Sequence, residues 1–121
     1  MSCLFISLSH FIREFNPNEM RIIISNYLAK NPILNGLPAD KTILYEKGMS
    51  LNQYLNHMRN TQSWGGALEI KIYCDVFKRN VIVHSQPNNK KIEFISKKKN
   101  KIWDILKWDG GHYIPIRTIV K

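Results

Sequence analysis

At 121 residues and 14.2 kDa the chain falls in the single-domain range, and 44% hydrophobic residues against 22% charged ones supply enough apolar material for a packed core, which excludes a disordered chain. Two cysteines, Cys3 and Cys74, exclude a multi-bridge secreted scaffold, and with no CxxC or Cys/His ligand spacing a structural zinc fold is excluded too. The net charge of +9 belongs to the second half, where residues 71–121 carry 12 Lys/Arg against 4 Asp/Glu while residues 1–70 carry 6 against 5; such a field attracts anions without identifying a partner.

The apolar run Leu4 to Leu8 lacks a basic flank and a cleavage site and is too short to cross a bilayer, so a soluble, intracellular and cytoplasmic protein without a membrane partner is expected. From Cys3 to Phe15 the apolar positions Leu4, Phe5, Leu8, Phe11, Ile12 and Phe15 recur at steps of three and four, which predicts a buried helix with Cys3 at its start. Asn16-Pro17 reads as an N-cap and first helical position, opening a second helix through Met20, Ile23, Ile24, Tyr27 and Leu28 that stops near Asn31-Pro32. Residues 31–48, with two prolines and two glycines, are expected to be an exposed connection. Ser50 opens a further helical pattern through Leu51, Tyr54, Leu55 and Met58, and Trp64-Gly65-Gly66 punctuates the chain. The stretch Ala67 to Phe77 fits both a strand and a helical stripe, and periodicity does not decide between them. Beyond it, Val81 to His84, Ile92 to Ile95, Ile102 to Trp108 and Tyr113 to Ile119 are β-rich runs, predicting a mainly antiparallel sheet packed on the earlier helices. The lysines at 97–99 and 101 read as a solvated hairpin turn, and Trp103 and Trp108 as part of the sheet.

The unpaired amides at a helix start favour an anion such as a thiolate, which makes Cys3 a candidate nucleophile. His112 follows Asp109-Gly110-Gly111 and opens the last strand, a rigid carrier for an imidazole facing a helix terminus. Cys74 reads as a buried thiol, and His10, His57 and His84 have no ligand-like spacing, so no metal is expected.

The ordered set Cys-Leu-Phe-x-Ser-Leu (Cys3 to Leu8), Arg-x-x-Ile-x-x-Tyr (Arg21 to Tyr27), Tyr-x-x-x-Met (Tyr54 to Met58), Trp-Gly-Gly-x-Leu-Glu (Trp64 to Glu69) and His112-Tyr113 resembles the OTU (ovarian tumour) cysteine protease domain over nearly the whole chain. The resemblance implies an α/β (α+β), papain-like fold in one domain over residues 1–121, with a helix at Ala67 to Phe77. It also implies release of ubiquitin or a ubiquitin-like modifier from lysine side chains through a thioester, without metal or organic cofactor. Carried over, Cys3 is the nucleophile and His112 the general base, while Trp64, Gly65, Gly66 and Tyr113 shape the substrate groove or hold the scaffold.

Two departures stand out. Family members usually carry Asp-Gly-x-Cys, whereas Met1 and Ser2 alone precede Cys3 here, and where the family often places Asn or Asp two positions after the histidine this chain has Ile114. The missing Asp-Gly loop is read as an N-terminal truncation, with Asp109 as a substitute orienting acid. The alternative functions are an inactive module that binds ubiquitin and a basic nucleic-acid-binding domain, any nucleic-acid binding being expected to be weak and non-specific.

Overall fold

In the computed structural model, which describes residues 3–60 and 65–121, five helices form one layer and a four-stranded sheet the other. The first helix, α1 (Cys3–Phe11), is shorter than its apolar pattern predicts. After Phe11 the chain turns, with Phe15 N–H donating to Ile12 O (3.3 Å), so that Asn16 can adopt the extended backbone an N-cap requires (φ −77°, ψ 171°). Helix α2 (Pro17–Lys30) then begins on a reciprocal cap: Asn16 Oδ1 accepts from Glu19 N (2.8 Å) and Glu19 Oε1 accepts from Asn16 N (2.9 Å).

Residues 31–48 are not an open connection. They hold a hairpin of β1 (Ile33–Leu34) and β2 (Leu37–Pro38), then helix α3 (Ala39–Lys47), and they bury Leu34, Ala39 and Ile43 in the core. Asn35 and Gly36, both at positive φ (51° and 79°), make the tight turn, and Pro38 precedes a helix instead of breaking one. Exposed Leu44 and Tyr45 beside buried Ile43 blur the stripe that would mark α3 in the sequence. Helix α4 (Leu51–Arg59) starts on a Ser50/Gln53 cap, and α5 (Ala67–Phe77) occupies the ambiguous stretch as a helix.

The strands β3 (Asn80–Ser85), β4 (Lys90–Phe94), β5 (Ile102–Trp108) and β6 (Tyr113–Val120) lie in the order β4-β3-β5-β6. Two pairs are antiparallel, but the central pair, β3 with β5, is parallel, and the sheet is mixed. The lysine run at 97–101 is therefore not a hairpin turn; it carries the chain from edge strand β4 across the start of β3 to β5. Buried Asn80 anchors that crossing: its Oδ1 accepts from Ser96 N (3.0 Å) and its Nδ2 donates to Asn100 O (3.2 Å). A bulge at Ile116 in β6, between the pairs Leu106–Pro115 and Ile105–Arg117, changes which residues face the helices. It lets Tyr113 and Thr118, five residues apart, both turn toward the helical layer, where Ser7 Oγ donates to Tyr113 O (3.0 Å) and Thr118 Oγ1 to buried Asp104 (2.6 Å).

Candidate active site

The resemblance motifs converge on one place. Cys3 is the first residue of α1, and its Sγ accepts a hydrogen bond from Tyr113 N (3.2 Å) while lying 3.9 Å from Gly111 O. The thiol thus rests against the two residues that flank His112. Ser7, one turn along α1, clamps the same strand through Tyr113 O, so helix and strand are tied by side chains on either side of the contact.

His112 sits in the four-residue connection between β5 and β6, where Trp108 pairs with Tyr113. Asp109 organises that turn: its Oδ1 accepts from Gly111 N (3.0 Å) and His112 N (2.8 Å), and its own N–H donates to His112 O (3.1 Å). Those two backbone donors hold its carboxyl below the usual carboxylate range. The same oxygen is 3.8 Å from His112 Nδ1, an ion-pair distance with both side chains open to solvent (70% and 39%). Gly110 takes φ 105°, a conformation that favours glycine, and a methyl group there would come within 3.3 Å of Pro87 Cγ.

Of the groove residues, Trp64 lies outside the described residues. Gly65 is a close-approach glycine: a Cβ on it would fall 2.7 Å from Leu4 Cδ2 and 2.9 Å from Phe5 Cε2, so only a bare backbone lets the chain rest on the start of α1. Gly66 N–H donates to Glu69 Oε1 (2.6 Å), and Tyr54 OH donates to Glu69 Oε2. Arg21 completes this buried group, lying 4.4 Å over the Phe5 ring and donating to Met58 O (3.3 Å). The motif residues Arg21, Tyr54, Met58 and Glu69 are therefore scaffold, joining α2, α4 and α5 beneath α1. Burial and the Glu69 carboxylate push the Tyr54 phenol well up. Tyr113, half-buried and packed against Trp108 with centroids 6.4 Å apart, belongs to the site through its backbone as much as its ring.

Cys74 is fully buried on α5, 3.7 Å from Phe94 O, and desolvation pushes its thiol up to about 12. Ile114 lies on β6 opposite Lys107. Sequence reading missed the second buried polar group, in which Asp104 accepts from Arg79 Nε (2.7 Å) and Nη2 (2.8 Å), Tyr73 OH (2.6 Å) and Thr118 Oγ1 (2.6 Å). Its visible sign in the sequence is the single acid of β5, set between Trp103 and Ile105.

The model of one family, described as OTU-like cysteine protease, matches residues 2–113, and this chain belongs to that family. The ubiquitin thioesterase OTU1 of Mus musculus is 28% identical over 121 residues, an overlap of 96% of this chain and 33% of the mouse protein; the chain thus spans about a third of that curated relative. Among solved structures, an ovarian tumor (OTU) domain in complex with ubiquitin superposes with a TM-score of 0.78 at 22% identity, covering 96% of this chain and 63% of the other. The viral OTU domain protease from Dera Ghazi Khan virus gives 0.71 at 17% identity (97% and 74% covered), and the Hazara virus OTU bound to ubiquitin 0.70 at 20% (98% and 76%).

Proposed function

We propose that this chain is an intracellular cysteine isopeptidase that removes ubiquitin or a ubiquitin-like modifier from lysine side chains, with Cys3 as nucleophile and His112 as general base. The observation that carries it is the seating of Cys3 Sγ between Gly111 O and Tyr113 N, the neighbours of His112 in the chain. Sγ adds to the carbonyl carbon of the modifier's terminal glycine as its proton passes to His112. Collapse of the adduct breaks the C–N bond, and His112 returns the proton to the departing lysine nitrogen, leaving a thioester. Water then gives a proton to His112 and adds to the thioester; the thiol leaves with that proton, and the modifier is freed as a carboxylic acid that ionises to solvent.

Asp109 is the acid placed to orient His112, in a chain whose residue 114 is Ile. Family membership and the ubiquitin-bound neighbours support ubiquitin as the partner class. The basic second half reads as a solvated surface, with nucleic-acid binding weak and lost near physiological salt.

A ubiquitin probe with a C-terminal electrophile tests the assignment. Mass spectrometry should find the adduct on Cys3, none on Cys74, and none in Cys3→Ala. Labelling that persists in Cys3→Ala, or that falls on Cys74, refutes it; saturable ubiquitin binding without any adduct identifies an inactive binding module instead.

A further inference from the structure

The sheet face turned away from the helices carries a row of basic side chains. Side chains alternate along each strand, so with Val83 and Leu106 in the core, His84 and Lys107 project from the opposite face. His84 pairs with Lys91 across the antiparallel β3–β4 ladder and with Lys107 across the parallel β3–β5 ladder. That register sets the three side by side over about 10 Å, two strand spacings. Together with Lys90 and the turn residues Gln86 and Asn89 they line a cavity of about 390 Å³.

Two observations single this row out from the general positive charge of the second half. The first is the place of Lys107. Lysine on an exposed edge strand guards against edge-to-edge pairing, which accounts for Lys90 and Lys91 on β4. It does not account for Lys107, half-buried on the interior strand β5, where a like charge across the sheet is unfavourable. Lys107 forms no ion pair among the described residues, and the one carboxylate paired with the row among them, Glu93, lies 3.7 Å from Lys91 in solvent. The second observation is the lining. It holds no carboxylate, and its single ring is the His84 imidazole, so an anion meets the ammonium groups unopposed and a nucleobase finds no broad platform to stack on.

We propose that this row binds a chain of linked phosphates, free or carried on a small molecule. A single phosphate bridges two neighbouring cations, whereas linked phosphates bridge the whole row, with the side-chain amides of Gln86 and Asn89 as further donors. Occupancy relieves the repulsion that the register builds in. The site does not depend on the isopeptidase reading, because α1 and Cys3 pack on the other face of the sheet.

The test is isothermal titration calorimetry of the full chain with tripolyphosphate at about 150 mM salt. One site per chain is expected. Lys107→Gln and Lys91→Gln should each weaken binding about fivefold or more, while Lys98→Gln and Lys99→Gln, outside the row, should leave it within about twofold. Without ligand, Lys107→Gln should hold or raise the Tm, because a repelling charge is gone, and the rise in Tm that tripolyphosphate gives wild type should shrink in that variant. With divalent cations absent, ATP should bind within about threefold of tripolyphosphate, since only the phosphates are read. Losses that fall equally on Lys98→Gln and Lys99→Gln, or a titration without fixed stoichiometry, overturn the site in favour of diffuse attraction to a chain of net charge +9. A single-stranded oligonucleotide that binds more tightly than tripolyphosphate, and is lost in the same variants, overturns it in favour of nucleic acid. If Lys107→Gln does not fold, Lys91→Gln, exposed on the edge strand, decides by the same criterion.

Discussion

Asp109 shows how one side chain can hold a turn and a charge together. Its Oδ1 caps two backbone N–H groups and faces His112 Nδ1 from 3.8 Å, in the open. Asp109→Asn keeps an acceptor oxygen for the turn and removes only the charge. Solvent screens an exposed pair, so the substitution should lower kcat/KM about fivefold or less, far less than loss of a buried triad acid. The turn donors hold its carboxyl below the usual carboxylate range and favour the ionised form. An unchanged kcat/KM for Asp109→Asn on a fluorogenic ubiquitin substrate would show that the carboxylate does not act through His112. As a linkage effect, a depressed carboxyl contributes stability above its unfolded value that is lost as pH falls through the folded one. Any stability it adds disappears only in acid.

At the scale of elements, function depends on how closely α1 is pinned between β6 and the chain entering α5. Ser7 and Cys3 bind one side and the bare backbone of Gly65 supports the other. Gly65→Ala would drive a methyl group into Leu4 and Phe5 at 2.7 and 2.9 Å, and both are fully buried with no room to retreat. Overpacking of this kind costs about 1–3 kcal/mol. The substitution should lower the urea midpoint accordingly and slow Cys3 labelling by the ubiquitin probe. An unchanged midpoint together with an unchanged labelling rate would show that Gly65 does not hold α1 in place. The Ile116 bulge works on the opposite strand, aligning Tyr113 with Cys3 and Thr118 with Asp104 on one face, which an unbroken period of two forbids.

Over the whole molecule, neutral acids buried in the core set an alkaline limit. Cys74, pushed up to about 12, and Tyr54 and Tyr73, pushed further by burial and neighbouring carboxylates, all favour the protonated form when folded. Groups whose folded values are raised stabilise fully below their unfolded values, near 8.5 for a thiol and 10 for a phenol. That stability is lost as pH rises through the folded values. The Tm should hold between pH 7 and 8.5 and fall steadily above about 9; a flat profile to pH 11 would mean that these groups ionise without unfolding. By itself the sequence determined the helices at α1, α2 and α4 and the four strands of the sheet, because apolar spacing and caps at Asn16 and Ser50 are local signals; it named Cys3 and His112 as candidates, and the fold brings Cys3 Sγ against the neighbours of His112. The sequence left open the helical state of residues 67–77, which the family resemblance supplied and the packing of α5 on the sheet accounts for. Only the tertiary structure decided the rest: α3 within residues 31–48, the parallel β3–β5 pair, the bulge and the Asp104 group. Each of these depends on which residues meet across large separations in the chain, and burial, partner and register have no local signature.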